Sequence, residues 1–280
     1  MKLGVQANAW RRQWDEDPMK VINHVKELGF DFIEIPLMNL HELDVPTLKG
    51  TLKNVDLEVC TSTILVDDTV DITSSDEKVR KNGINYLKRC IEATGELGAT
   101  FFSGIIYSKQ FNRTNIFYEN DILKYSTEGL REVARYAGQF GITIGIEPIN
   151  RFETCLINTC EQALQLKDMV GESNLKIHLD TFHMNIEEKN LYETIKRAGN
   201  NLFHLHLNES DLGIAGTGQV NWDDLFKGLK EIQYEGYASI ECVVDIKGDY
   251  VWRQLAPNSE VLVTQGKQFF RELMGKYELI

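Results

Sequence analysis

Four side chains, Glu147, Asp180, His206 and Glu241, each stand at or near the C-terminal end of a short apolar run. The runs read Ile144-Gly145-Ile146-Glu147, Lys176-Ile177-His178-Leu179-Asp180, Phe203-His204-Leu205-His206 and Ala238-Ser239-Ile240-Glu241. Three carboxylates and one imidazole make an oxygen-rich donor set. It suits Mn²⁺, Mg²⁺ or Co²⁺ better than structural Zn²⁺, which prefers Cys and His. Taken singly, each has an ordinary alternative. A carboxylate just after a strand often caps a helix or meets solvent, and His204 and His206 share one strand face by period two. Four such residues at the same place on four successive runs argue for one metal site.

Other residues carry weaker signals. Arg151 and Glu153 read either as substrate contacts or as an exposed ion pair. Trp10 and Trp14 follow the first apolar run. They read either as the apolar wall of a sugar pocket or as loop packing. Ala215-Gly216-Thr217-Gly218 has the look of a phosphate loop, but a lone G-x-G before Val220-Asn221-Trp222 fits a flexible strand-to-helix loop better. Cys155, Cys160 and Cys242 lack a matching His–Cys arrangement and read as small buried apolar residues.

A scaffold that gathers four strand ends at one place is needed. The chain supplies eight β-branched or aromatic runs: Leu3–Asn8, Phe32–Pro36, Leu57–Ile64, Thr100–Ile106, Thr143–Glu147, Leu175–Asp180, Leu202–Leu207 and Ala238–Val243. Amphipathic segments follow each. The clearest is Ser75–Leu97, which Ser74 and Glu77 would open with a capping box. Leu28-Gly29, Leu97-Gly98 and Phe140-Gly141, with Tyr234-Glu235-Gly236 as a looser version, each end a helix on glycine and restart as a strand. The unit is strand, loop, helix, glycine, repeated about eight times. This is the pattern of an α/β fold, a single (β/α)8 TIM barrel with its chemistry at the C-terminal strand ends. A doubly wound open sheet alternates similarly, but no G-x-G-x-x-G follows the first strand. Residues 1–280 are expected to form one domain, since barrels hold around 250 residues as a unit.

Composition narrows the partners. Thirty Lys and Arg against 42 Asp and Glu leave a net charge of −12. That acidity excludes a basic nucleic-acid footprint and an anionic membrane surface. No stretch of 18 apolar residues is present, so no membrane span is expected. Five Cys at irregular spacing make no disulfide framework and fit a reduced, cytoplasmic compartment.

Glu147-Pro148-Ile149-Asn150-Arg151-Phe152-Glu153-Thr154, with Asn158-Thr159 beyond it, resembles the E-P-L-N-R-Y-E-T…N-T segment of the ketose 3-epimerases, which act on D-tagatose, D-allulose (psicose) and L-ribulose. Leu179-Asp180-Thr181-Phe182-His183-Met184-Asn185-Ile186-Glu187-Glu188 resembles that family's L-D-T-F-H-M-N-I-E-E almost letter for letter. Gly216-Thr217-Gly218 before Trp222, Ser239-Ile240-Glu241 and the segment 76–98 fit as well, so the resemblance covers most of the chain. The parent group is the xylose-isomerase-like barrel. The resemblance implies one divalent ion, Mn²⁺ or Co²⁺ with Mg²⁺ as the alternative, on Glu147, Asp180, His206 and Glu241. It also implies substrate contacts from Glu153 and His183. Homodimers or homotetramers are expected. Where the family usually carries a sugar-binding Arg six residues after the metal His, this chain has Leu212.

The chemistry that fits is epimerisation of a free ketose at C3. A proton leaves the carbon beside the carbonyl, a cis-enediolate forms, and a proton returns to the opposite face. A metal acts as Lewis acid, and two bases are needed, one per face. Glu147 and Glu241 are placed to serve. Related readings on the same barrel are a sugar isomerase, such as a hydroxypyruvate isomerase, or an inosose dehydratase-type lyase. The Asp180 segment argues against both. A metal-dependent abasic-site nuclease would need more His and a basic face. A non-catalytic sugar-binding barrel would not need both Glu147 and Glu241.

Overall fold

The computed structural model describes residues 1–112, 121–241 and 253–280. Eight parallel strands close a barrel in sequence order: β1 (Lys2–Gln6), β2 (Phe32–Pro36), β3 (Glu58–Ile64), β4 (Phe101–Ile105), β5 (Thr143–Ile146), β6 (Leu175–Asp180), β7 (Leu202–His206) and β8 (Tyr237–Ile240). β8 pairs back onto β1 through Leu3 and Ala238. Each expected run is a strand, within a few residues at its ends; Cys242 and Val243 lie outside the described residues. The helices are α1 (Arg11–Glu16), α2 (Pro18–Glu27), α3 (Val45–Val55), α4 (Glu77–Leu97), α5 (Asp121–Gly138), α6 (Cys160–Val170), α7 (Thr181–Glu187), α8 (Leu191–Ala198), α9 (Trp222–Glu231) and α10 (Ser259–Tyr277). Among the described residues no helix is long and apolar enough to cross a membrane.

Strands covered by helices on one side and core on the other must be apolar on both faces. Leu3, Val5, Ile33, Ile35, Ile144, Ile146 and Leu205 are accordingly fully buried. Inside the barrel, an apolar floor of Phe32, Cys60 and Phe101 packs with Phe203 and Tyr237. His204 stacks on that floor, 5.3 Å from the Phe101 ring centroid. Above it the strands present polar residues in register: Gln6 beside Glu34, Asp180 beside His206, His206 beside Ser239.

Two local expectations change. The start of α4 is capped by Asp76, which accepts the Lys78 N–H at 2.8 Å, not by a Ser74–Glu77 box. A carboxylate one residue from the first turn reaches the free N–H groups, while the Ser74 hydroxyl accepts from Asp76 N. Gly29, Gly98 and Gly141 hold the left-handed conformation as expected, but after α9 that conformation falls on Gln233 instead of Gly236.

One glycine bears directly on the barrel mouth. Gly104, near the end of β4, has φ +124°, and a Cβ there would lie 2.1 Å from the Thr63 carbonyl oxygen. Its own carbonyl accepts the Glu147 N–H at 3.1 Å. Gly104→Ala should therefore cost about 1–3 kcal/mol for the dihedral alone, with the backbone clash on top. Gly50→Ala, in α3 with open space around it, should gain up to about 1 kcal/mol. Urea unfolding of both variants checks this; equal stability of the two would contradict it.

Candidate active site

Glu147 directly follows β5, Asp180 ends β6, His206 ends β7 and Glu241 directly follows β8. Parallel pairing in a closed barrel brings these four ends to one rim. His206 Nδ1 lies 3.5 Å from Glu147 Oε1, 3.8 Å from Asp180 Oδ2 and 3.5 Å from Glu241 Oε2. Glu147, Asp180 and His206 are buried, and the Glu241 side chain is 23% exposed. Asp180 also caps α7, its Oδ1 accepting the Phe182 N–H at 2.7 Å. Capping and clustering are thus joint properties of one carboxylate.

The electrostatics of the cluster are those of a cation site. Burial raises the Asp180 carboxyl well above its ordinary range, and the Glu241 carboxylate raises it further. Burial likewise raises Glu147, and the attraction of His206 offsets this only in part. Burial opposes charge on His206, yet Glu34 and Glu241 outweigh it and hold the imidazole pKa well above 6.5. His206 Nδ1 is buried without a hydrogen-bond partner and faces three carboxylates. A buried ring nitrogen with no hydrogen-bond partner among three carboxylate oxygens, where positive charge is favoured, fits a divalent ion of the Mn²⁺, Co²⁺ or Mg²⁺ type taking the place of the proton.

Three further residues shape this cluster and carried no role in the sequence reading. Glu34, in β2, is fully buried; it accepts from His204 Nε2 at 2.8 Å, Ser239 Oγ at 2.6 Å and His206 Nε2 at 3.0 Å. The signal was available: Phe32-Ile33-Glu34-Ile35 places an acid inside a fully apolar parallel strand, where it needs buried donors. Asn208 donates from Nδ2 to Asp180 Oδ2 and to Glu241 Oε2, both at 2.9 Å, and so ties two strand ends together. His178 stands 3.6 Å from Glu147 Oε2, with its ring 4.1 Å from that of His206.

Beside the cluster lies a second polar group. Glu153 is buried; it accepts from Gln110 Nε2 at 2.8 Å and from Asn150 Nδ2 at 2.6 Å. His183, buried in α7, accepts the Asn150 N–H at its Nδ1, 3.2 Å away. This leaves the proton on Nε2. Burial lowers the His183 pKa to about 4, so the ring is neutral at physiological pH. Arg151 is not paired with Glu153. Its guanidinium forks onto Glu187, Nε to Oε1 at 2.9 Å and Nη2 to Oε2 at 2.8 Å. Glu187 sits one α7 turn beyond His183, and only the fold brings it beside the β5 loop.

The remaining expectations fall as follows. Trp14, in α1, is buried in the main core, and Trp10 packs edge-on against His24, ring centroids 5.3 Å apart. Cys160 is buried and Cys155 half-buried; Cys242 lies outside the described residues. Gly216–Gly218 belongs to a loop folded around buried Glu209, which accepts from the N–H groups of Ser210, Gly216 and Val220 and from Trp222 Nε1 at 2.8–3.0 Å. Those donors face a carboxylate of the chain itself. Leu212, in the same loop, has φ +62°, and its N–H bonds the Glu209 carbonyl at 3.0 Å.

Residues 22–273 of this closed eight-stranded barrel match the family model of the xylose isomerase-like TIM barrel. A ketose 3-epimerase of Arthrobacter globiformis is 34% identical, with 100% of this chain and 99% of that protein aligned. An L-ribulose 3-epimerase of Methylomonas sp. is 31% identical, with 97% of each aligned. The crystal structure of a D-allulose 3-epimerase from Methylomonas sp. in complex with D-allulose superposes with a TM-score of 0.90 at 29% identity, covering 97% of this chain and 96% of that one. The chain belongs to the ketose 3-epimerases of the xylose isomerase-like barrel family. It is accordingly an isomerase acting on carbohydrates.

The His183 pKa sets a pH dependence. It is lower in the folded protein, about 4, than the ordinary 6.5, so the unfolded chain takes up the proton first as pH falls. The stability from this group is intact above about pH 6.5 and lost toward pH 4. Across that window it amounts to about 3 kcal/mol. In chelator-treated protein, His183→Gln should flatten the pH dependence of unfolding free energy by that amount. Identical slopes in variant and wild type would contradict a neutral His183.

Proposed function

We propose that the protein epimerises a free ketose at C3, using Glu147 and Glu241 as the two proton carriers. The observation that carries this reading is the placement of their carboxylates. They directly follow strands β5 and β8, which have two strands between them on the rim, and each lies 3.5 Å from His206 Nδ1. A sugar entering the mouth between them is flanked on both sides. The relatives named as ketose, L-ribulose and D-psicose 3-epimerases support the substrate class.

Glu147, Asp180, His206 and Glu241 would hold one divalent ion, Mn²⁺ or Co²⁺ with Mg²⁺ as the alternative. When bound, such an ion supplies Lewis-acid polarisation of neighbouring sugar oxygens. The chain's own residues carry the protons. One glutamate takes the C3 proton, leaving the sugar as a cis-enediolate, and the other returns a proton to the opposite face. A turnover leaves the first carboxyl protonated and the second ionised, so the pair resets by exchange with solvent. Asn208 orients Glu241 and Asp180. His183 offers its Nε2–H to a sugar hydroxyl. Glu153, held by Gln110 and Asn150, accepts from another, and Trp14 contributes the apolar wall. Residues 1–280 serve as one barrel domain.

A panel of free ketoses, D-fructose, D-tagatose, D-allulose and L-ribulose, incubated with Mn²⁺ and resolved by chromatography, tests the reaction. Interconversion of C3 epimers is expected, with deuterium entering C3 in D₂O. Aldose or dehydrated products would instead favour an isomerase or a lyase. Chelation should abolish turnover and lower the melting temperature, and Mn²⁺ or Co²⁺ should restore both by mass action. Full activity in protein shown metal-free by elemental analysis would sink the metal assignment. Glu147→Gln and Glu241→Gln should each lower kcat by roughly 10²–10⁴-fold. A variant that holds the metal and turns over at the wild-type rate would remove its residue from the mechanism.

A further inference from the structure

Glu34 touches none of the positions assigned to the sugar, yet every donor around it is oriented by it. Its Oε2 accepts from His204 Nε2 at 2.8 Å, Ser239 Oγ at 2.6 Å and His206 Nε2 at 3.1 Å. Its Oε1 accepts from His206 Nε2 at 3.0 Å and Gln6 Nε2 at 3.3 Å. An ionised carboxylate only accepts. Glu34 therefore holds a hydrogen on His206 Nε2, so that Nδ1, which faces Glu147, Asp180 and Glu241, is the nitrogen whose lone pair is offered once an ion takes the place of a proton there. The other tautomer would set a nitrogen lone pair against the fully buried Glu34 carboxylate. Glu34 sits on β2, three strands round the barrel from β7, and reaches across the interior beneath the rim. The same carboxylate holds His204, two residues back on the inward face of β7, so two imidazoles fix the rotation of that strand about one anchor.

We infer that Glu34 is a positioning residue for the metal centre: it locks His206 as an Nδ1 ligand and thereby sets the affinity for the divalent ion. The inference rests on the metal reading above. A carboxylate behind a ligand imidazole is a general device for raising ligand basicity and fixing its ring. Here it is supplied from across the barrel, by a residue far from the ligands in sequence.

The test is Mn²⁺ binding by titration calorimetry to chelator-stripped protein, with folding followed by circular dichroism. Glu34→Gln has one oxygen where the donors need two, and its amide N–H groups confront His204, His206 or Ser239. Its Mn²⁺ Kd should rise about 10–100-fold, whereas Ser239→Ala, which removes a Glu34 partner without touching His206, should stay within about twofold of wild type. Unchanged affinity in Glu34→Gln would overturn the inference, and so would equal weakening in both variants, since that marks a merely structural role. Failure of the wild type to bind one Mn²⁺ per chain would instead sink the metal reading itself. If Glu34→Gln does not fold, ¹⁵N spectra of Mg²⁺-saturated wild type decide the matter. The ligand imidazole should carry its proton on Nε2, and a proton on Nδ1 would overturn the inference.

Discussion

Four carboxylates and three imidazoles enclosed within one barrel are the constraint around which the rest of the structure is arranged. Glu34, Glu147 and Asp180 are buried, and Glu241 is largely so. Bringing like charges together away from water is costly unless each finds a donor or a cation. At the lower level the protein supplies the compensation itself. Burial pushes the Glu34 carboxyl up, but His206 and His204 outweigh it and hold it well below the ordinary range. At the rim the compensation is incomplete. Glu147 and Asp180 are raised by burial; His206 faces all three rim carboxylates, and the Asn208 amide donates to Asp180 and Glu241. The Glu34 carboxylate is thus satisfied below, and the rim is left demanding a cation above.

That division depends on the apolar floor. Phe32, Phe101 and Cys60 pack together beneath His204, so that imidazole rests on aromatic surface. In such a medium hydrogen bonds to carboxylates are strong and geometrically strict. The loops beyond the rim repeat the device with other acids. Glu209 gathers three backbone N–H groups and an indole N–H, and Glu187 accepts the Arg151 fork and backbone. Burial raises Glu209, but the N–H groups of Ser210 and Val220 and the Trp222 indole outweigh it and keep it ionised.

Much of this was legible in the residues. Apolar runs at regular spacing, with glycine ending Leu28, Leu97 and Phe140 segments, determined an eight-fold strand–helix alternation, because a parallel strand buried on both faces cannot contain solvated side chains. An acid or imidazole closing each of four successive runs marked the rim, because parallel strands in a barrel end on the same side. What the sequence left open is what depends on contacts across the barrel or between loops. Glu34 meets His206 only because strands β2 and β7 enclose one interior. Arg151 meets Glu187 in place of its near neighbour Glu153 because α7 folds back over the β5 loop. Asn208 bridges Asp180 and Glu241 only when β6 and β8 flank it. Asp76 displaced the Ser74 cap through geometry one residue wide. Local pattern fixes which residues face inward and at which height. Which inward-facing charges then share a proton, a donor or an ion is decided by distances of 3–4 Å between segments far apart in the chain, and only the closed tertiary structure sets those.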